Sequence, residues 1–212
     1  MQSVTLLVVS KTFGPAAVRE AFAAGEHRFG ENYVQEGVDK IAALADLRAQ
    51  IEWHLIGPLQ SNKTRAVAEQ FDWVHSVDRL KTAQRLSEQR PPRLAPLQLC
   101  LQVNVSGEAS KSGLRPDEVR AVAQAVAVLP RVALRGLMAI PEPAAGLDAQ
   151  RAPHRALREL MQSLHADGLA LDTLSIGMSA DLEAAVMEGA TIVRIGSAIF
   201  GARGAAVSPA AA

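Results

Sequence analysis

Short apolar runs alternate with amphipathic segments along almost the whole chain. The first apolar run, residues 6–9, is followed by Pro15 and by a segment in which Val18 and Phe22 are four residues apart. A short apolar run predicts a buried strand, whereas apolar residues three or four apart predict one face of a helix. The pattern therefore predicts a strand followed by a helix, and this unit recurs along the chain.

Eight such units are spaced along the chain. The predicted strands cover residues 6–11, 27–30, 53–57, 73–77, 97–105, 134–140, 174–177 and 192–196. Strands that alternate with helices predict parallel βαβ units, and eight strands are the number that closes a barrel. We therefore predict an α/β fold, a single (β/α)8 TIM barrel, with a doubly wound open sheet as the alternative. The G-x-G-x-x-G motif typical of that alternative does not follow the first strand.

The barrel domain is predicted to cover residues 1–204. The remaining residues, 205–212, contain only Ala, Val, Ser and Pro, and we expect them to form a flexible tail. Within the domain, Ser179 is predicted to cap the helix after the seventh strand, because a serine hydroxyl can accept a hydrogen bond from the first helical turn.

Composition narrows the class of protein. The chain has 212 residues, 49% of them apolar, and its 22 basic residues balance its 22 acidic residues. A net charge of zero argues against a general nucleic-acid binder or a protein that binds anionic membranes. The single cysteine, Cys100, cannot form an internal disulfide. Without an apolar stretch long enough to span a membrane or a signal-peptide pattern, we expect a cytoplasmic protein.

A lysine, Lys11, ends the first predicted strand. Desolvation disfavours an ammonium group and lowers the pKa of a buried lysine, which can then form a Schiff base with an aldehyde. The alternative is that Lys11 extends its amine to solvent while its methylene groups stay buried.

Two loops with small and hydroxylated residues follow the last two strands. Residues 175–179 read SIGMS, and residues 194–201 read RIGSAIFG. In (β/α)8 barrels the site lies at the carboxyl ends of the strands, and phosphate often binds after strands seven and eight. Backbone N–H groups and serine hydroxyls suit an anion, although ordinary caps and turns have the same composition. Together with Lys11, the two loops favour a phosphorylated aldehyde held as a Schiff base.

Nine motifs, in order, resemble those of the pyridoxal phosphate homeostasis proteins, the YggS/PROSC family. They are VSKT at 9–12, FGENYVQE at 29–36, WHLIGPLQSNK at 53–63, HSVD at 75–78, QVNV at 102–105, KSG at 111–113, RGLM at 135–138, SIGMSAD at 175–181 and RIG at 194–196. The resemblance implies the barrel type that is shared with the N-terminal domain of alanine racemase. It also implies pyridoxal 5′-phosphate (PLP) as the cofactor and no metal.

The resemblance implies roles for particular residues. Lys11 matches the lysine that forms the Schiff base with PLP, and Arg194 matches the arginine that faces the pyridine nitrogen. The phosphate is matched to Ser179, Gly196 and Ser197, with Ser175 as a candidate assistant.

Further residues are placed around the PLP ring by the same resemblance. Asn32, His54 and Met178 are expected at strand ends there, with Asn104 as a further candidate. For His54, a hydrogen-bonded inward histidine is an equal alternative. Lys63 and Lys111 are candidates to approach the PLP pocket or to hold PLP transiently. The alternatives are a solvated face for Lys63 and a loop contact for Lys111.

The expected function is intracellular PLP homeostasis, in which PLP is carried without robust turnover and without catalytic residues. Arginine only donates hydrogen bonds, so the pyridine nitrogen opposite Arg194 stays unprotonated and the ring is a weaker electron sink. A racemase-like enzyme is the alternative, but its second proton carrier is missing unless Tyr33, the only tyrosine, supplies it. A lysine Schiff-base aldolase without PLP is a third hypothesis. We expect a monomer that binds PLP, with apo PLP-dependent enzymes as candidate recipients.

Overall fold

A computed structural model describes residues 3–106 and 112–201 of the chain. In these ranges, eight parallel strands form a closed barrel in which each strand pairs with the next and the last returns to the first. The strands are β1 (Thr5–Val9), β2 (Arg28–Glu31), β3 (Glu52–Leu55), β4 (Trp73–Val77), β5 (Leu97–Gln102), β6 (Val132–Met138), β7 (Thr173–Ser175) and β8 (Ile192–Ile195).

A helix follows each strand around the outside of the barrel. The helices are α1 (Pro15–Ala23), α2 (Val34–Ala43), α3 (Thr64–Gln70), α4 (Leu80–Gln89), α5 (Pro116–Ala127), α6 (Leu147–Ala166), α7 (Leu182–Met187) and α8 (Ser197–Phe200), with short 3-10 helices at Ala45–Leu47 and Ser61–Lys63. The predicted (β/α)8 barrel is thus confirmed. The open-sheet alternative is wrong, because β8 pairs with β1 over four register positions. The expected tail, residues 205–212, lies outside the described residues.

Successive side chains of β1 point alternately into two apolar regions, the layer between the strands and the helices and the interior of the barrel. Val8 is buried in the layer between strands and helices. Leu7 and Val9 form a different cluster, inside the barrel, that includes Ile192. Because directly paired residues of neighbouring strands face the same side, Arg194, the register partner of Leu7, also faces the interior. The register therefore places one long cationic side chain inside the barrel.

The turn after β7 differs from the prediction. Asp181, not Ser179, occupies the position before α7, and its Oδ1 accepts a hydrogen bond from the Met178 N–H at 2.7 Å. Its other carboxylate oxygen lies 3.0 Å from His154 Nε2. The predicted cap at Ser179 is wrong, because α7 begins after Asp181 and Ser179 lies in the preceding turn, which the hydrogen bond from the Met178 N–H to Asp181 closes. Ser179 remains exposed.

A buried ion cluster fixes the chain where β1 ends. Lys40, in α2, is only 3% exposed. Its Nζ lies 2.7 Å from Glu31 Oε1, 2.8 Å from Glu36 Oε1 and 2.6 Å from the carbonyl oxygen of Ser10. The Ser10 hydroxyl also donates to Glu31 Oε1 at 2.5 Å. The cluster thus joins the end of β1 to β2 and α2.

The same cluster also holds the residue after Lys11. Thr12 has a φ of 68°, which is a strained conformation for a β-branched residue. Its N–H donates to Glu36 Oε1 at 2.5 Å, which helps to retain this conformation. Lys11 therefore lies between two residues, Ser10 and Thr12, that are both anchored to the cluster.

Replacing Lys40 tests whether this cluster supports the fold. Lys40→Met would leave the Glu31 carboxylate buried without its counter-ion, and we expect a loss of about 3–5 kcal/mol in the free energy of unfolding at neutral pH. Burial already raises the pKa of Glu31 and Lys40 opposes that rise, so the substitution raises this pKa further. A folded-state pKa above the unfolded value makes stability fall as pH rises between the two. The deficit should therefore shrink as the pH is lowered toward the ordinary carboxyl range.

Urea unfolding of Lys40→Met at several pH values measures this effect. Arg19→Met is the matched control, because Arg19 forms an exposed ion pair with Asp46 that should contribute little to stability. Equal losses for the two variants, or a Lys40→Met deficit that does not change with pH, would contradict a structural role for the cluster.

Candidate functional site

Six of the predicted site residues lie just beyond the carboxyl ends of strands that are consecutive neighbours around the barrel. They are Lys11 after β1, Asn32 after β2, Met178 and Ser179 after β7, and Gly196 and Ser197 after β8. Because all strands are parallel, these residues lie along one arc of a single barrel end, which we call the mouth. Of the lysines considered nearby, Lys63 ends a short 3-10 helix, and Lys111 lies outside the described residues.

A cavity of about 440 Å³ opens at the mouth. Asn32 and Met178 line it together with apolar residues such as Ile140. This volume is in the usual range for a small-molecule site. A cavity of about 500 Å³ lies at the opposite, amino-terminal end, around Glu52 and Arg135, and no lysine is among the lining residues that the structure describes. No described lysine lines the mouth cavity either, and the amine at this end of the barrel is that of Lys11, which lies just beyond β1.

The loops after β7 and β8 present donors that suit a phosphate group. The N–H groups of Ser179, Gly196 and Ser197 have no backbone acceptor among the described residues. Both serines are exposed, so their hydroxyls are accessible. Gly177 turns the first loop with a φ of 92°, and a Cβ there would lie 2.5 Å from the Ala185 Cβ. The donor set therefore fits an anion that is bound by backbone and hydroxyl groups.

Arg194 is buried inside the barrel below the mouth. Its Nη1 donates to the Ser175 carbonyl oxygen at 2.5 Å and to Ser175 Oγ at 2.9 Å, and its Nη2 donates to the Ala139 carbonyl oxygen at 2.9 Å. Burial lowers the pKa of Arg194 to about 10, so the side chain is still a cation at neutral pH. These contacts use three of its five N–H groups, and Nε–H and one hydrogen of Nη2 remain for a ligand.

His54 does not lie at a strand end as expected. It is inside β3 and wholly buried, and its Nδ1 and Nε2 lie 2.9 Å from His75 Nε2 and from Glu52 Oε1, respectively. Glu52 borders the cavity at the amino-terminal end, so the imidazole is held away from the mouth. The alternative of a hydrogen-bonded inward histidine therefore describes its contacts, and the strand-end placement is corrected.

The sequence interpretation missed His75 and assigned Ser175 to the wrong neighbourhood. Ser175 is wholly buried, and its hydroxyl contacts His75 and Arg194 rather than the phosphate loops. The available signal was the alternation of strand residues, because His75, Ser175 and Arg194 all occupy positions that a period of two directs into the barrel. Asn104, the further candidate, follows β5 and is buried, and its Oδ1 accepts from the Ser106 hydroxyl at 3.2 Å.

Comparison with known proteins places this geometry in a family. Residues 1–204 match the family model described as the N-terminal domain of alanine racemase. A relative from Pseudomonas aeruginosa, named pyridoxal phosphate homeostasis protein, is 65% identical over 201 residues, which are 95% of this chain and 85% of the relative.

Solved structures agree with the sequence comparison. PipY of Synechococcus elongatus PCC7942, in a structure with PLP bound, is 41% identical and superposes with a TM-score of 0.85 over 93% of this chain and 92% of PipY. An alanine racemase from Clostridium difficile 630 has a TM-score of 0.77 over 97% of this chain and 54% of the enzyme, at 13% identity, and it shares the fold.

The described residues contain no helix with the length and apolar character that crossing a bilayer requires, and no cluster of metal-ligating side chains. The match to the relative from Pseudomonas aeruginosa extends over nearly the whole chain at high identity. The chain belongs to the pyridoxal phosphate homeostasis protein family.

Proposed function

We propose that this protein binds PLP at the barrel mouth through Lys11 and serves PLP homeostasis as a carrier. The observation that carries the proposal is the position of Lys11 relative to Arg194 on neighbouring strands. Lys11 lies in the turn that follows β1, and Arg194 is level with Leu7 inside that strand. Lys11 is four residues beyond Leu7, so its backbone lies at most roughly 14 Å from the level of Arg194, toward the mouth. Two long side chains that approach each other across this distance can hold a small aromatic ring between them.

Lys11 would hold the aldehyde end of PLP. Its Nζ adds to the aldehyde carbon, and one water leaves as the C=N bond forms. The anchored neighbours Ser10 and Thr12 restrict the directions in which Lys11 can extend. This arrangement supports a linkage that is specific for one lysine of the chain.

The phosphate and the ring nitrogen would each meet a set of donors. The N–H groups near Ser179, Gly196 and Ser197 suit the phosphate, while the remaining donors of Arg194 suit an unprotonated pyridine nitrogen. Asn32 and Met178 border the mouth cavity and would contact the ring. His54, which the barrel interior encloses, is not among the residues that we propose to touch PLP.

Carriage fits the site better than turnover. When bound, PLP supplies an electron sink, and a fixed arginine donor at its ring nitrogen weakens that sink. Tyr33, the one tyrosine that could serve as a second proton carrier, is 61% exposed at the start of α2. We infer a monomeric cytoplasmic carrier, for which apo PLP-dependent enzymes are the natural recipients.

Lys11 is predicted to carry the linkage. The PLP-loaded protein should be yellow and lose this colour with borohydride, and peptide mapping should place the pyridoxyl group on Lys11. Lys11→Arg should abolish the labelling, because a guanidinium does not form a Schiff base with an aldehyde under these conditions. The matched control Lys63→Arg, at another lysine near the mouth, should keep it. Labelling that is mainly on Lys63 or Lys111 would contradict the proposal.

The protein is also predicted not to act as an amino-acid racemase. The loaded protein should racemise L- or D-alanine no faster than free PLP at the same concentration, as measured by chiral chromatography. Arg194→Glu places a carboxylate where the donor was and favours a protonated ring, so slow reactions with added amino acids should increase if the variant folds and binds PLP. Efficient racemisation by the parent that is lost in Tyr33→Phe would mean that the protein is an enzyme.

A further inference from the structure

A continuous row of hydrogen bonds crosses the barrel interior from Arg194 to Glu52. Arg194 Nη1 donates to Ser175 Oγ at 2.9 Å, and Ser175 Oγ lies 2.7 Å from His75 Nδ1. His75 Nε2 lies 2.9 Å from His54 Nδ1, and His54 Nε2 lies 2.9 Å from Glu52 Oε1. The row joins β8, β7, β4 and β3, and the proposed carriage of PLP has so far used only its first member.

The two ends of the row, together with neutral rings for His54 and His75, fix the direction of every hydrogen bond within it. The Arg194 guanidinium can only donate, and an ionised Glu52 carboxylate can only accept. His54 Nε2 must then carry the proton that faces Glu52, and a neutral His54 accepts at Nδ1. His75 donates to it from Nε2 and accepts at Nδ1 from the Ser175 hydroxyl. The Ser175 oxygen is then the acceptor for Arg194.

This direction requires a neutral His54, and its surroundings provide one. His54 is wholly buried between Glu52 and Trp73, whose ring stacks on the imidazole with 5.4 Å between centroids. Burial lowers the pKa of His54, Glu52 and Asp72 oppose that effect, and Arg28 adds to it. The net result is a lowered pKa, so the neutral form is favoured at physiological pH.

His75 is neutral for a simpler reason. It is wholly buried, and its pKa lies well below the ordinary histidine value because of burial and, to a smaller extent, repulsion from the cationic form of His54 and from Arg194. Its two ring nitrogens contact His54 and the Ser175 hydroxyl. A proton added to His75 would therefore face the Arg194 cation across a single hydroxyl group.

We infer that Glu52, His54, His75 and Ser175 are positioning residues for Arg194: they form a one-way hydrogen-bond relay that ends on a carboxylate. The relay fixes the rotation of the guanidinium, so that Nε–H and one Nη2 hydrogen stay available toward the mouth. What these donors meet there rests on the proposed binding of PLP. The direction of the relay does not.

The relay leaves N–H donors of Arg194 available to a ligand, whereas a direct ion pair with a carboxylate would occupy them. A carboxylate beside Arg194 would take two of its N–H groups and cancel its charge locally. No carboxylate lies within salt-bridge distance of Arg194 among the described residues; Glu52 is separated from it by three neutral side chains. The carboxylate whose charge raises the pKa of Arg194 is that of Asp181, which forms no ion pair with it, so the free donors of Arg194 remain for the ring nitrogen.

Nitrogen-15 NMR of the histidine side chains, on the protein without PLP, tests the direction of the relay. We expect His54 and His75 both to be neutral Nε2–H tautomers at neutral pH, with assignments from His54→Gln and His75→Gln. The exposed His27 lies outside the relay and is the matched control, and its signals should be the same in the parent and in both assignment variants. An Nδ1–H tautomer or a charged ring at either relay position would overturn the inference.

The effect on the ligand is tested with PLP that carries nitrogen-15 in its ring. His75→Phe removes the acceptor of Ser175, and Glu52→Gln removes the final anion. Each should shift the ring-nitrogen signal and weaken PLP binding by about tenfold, as loss of an oriented hydrogen bond does, while borohydride still labels Lys11. The control His165→Gln changes a histidine that contacts the Leu171 carbonyl oxygen, and it should match the parent.

The outcomes separate the relay from the proposed function. If the parent fails to bind PLP, the proposed function is wrong, and the tautomers of His54 and His75 still decide whether the relay exists. If the parent binds PLP but His75→Phe and Glu52→Gln give the parental ring-nitrogen signal and affinity, the positioning role is wrong.

Discussion

The charge of one buried arginine determines how the interior of this barrel is built. Arg194 faces inward because it is the register partner of Leu7, and a cation in that position must be compensated or lose its proton. The compensation comes from carbonyl oxygens of Ser175 and Ala139 and from the hydroxyl of Ser175. Burial lowers the pKa of Arg194 to about 10 and the charge of Asp181 opposes that effect, so the side chain keeps a permanent charge. The inward polar residues of β7, β4 and β3, which are Ser175, His75, His54 and Glu52, extend the hydrogen bonds that begin at this buried cation.

A second buried cation has the opposite arrangement and a different effect. Lys40 forms direct ion pairs with the carboxylates of Glu31 and Glu36. These two residues neutralise its charge, so the ammonium group is not available to a ligand. Its contact with the Ser10 carbonyl oxygen and the link from Glu36 to Thr12 hold the chain on both sides of Lys11. One buried cation therefore fixes the backbone of the proposed Schiff-base lysine. The other keeps its hydrogen-bond donors for the far end of the ligand.

Sequence patterns predicted the barrel and the gathering of six candidate site residues at one end of it, because both follow from local periodicity. Strand and helix periods are visible within short windows, and the order of eight units specifies where parallel strands must end. The contacts of His75 with Ser175, and of Lys40 with Ser10, join segments that are far apart in the chain, so no local pattern contains them. His54 shows the same limit, since alternation predicts that it faces inward but not toward which end its ring is held.

A crystal structure of the protein soaked with PLP would examine the proposed carrier site as a whole. We predict continuous density between Lys11 Nζ and the aldehyde carbon, phosphate against the N–H groups of Ser179, Gly196 and Ser197, and Arg194 Nε facing the ring nitrogen. The contacts of Arg194 with Ser175 and Ala139 should remain as they are without ligand. Density for PLP on another lysine, or an Arg194 side chain turned away from the ring nitrogen, would contradict the assignment.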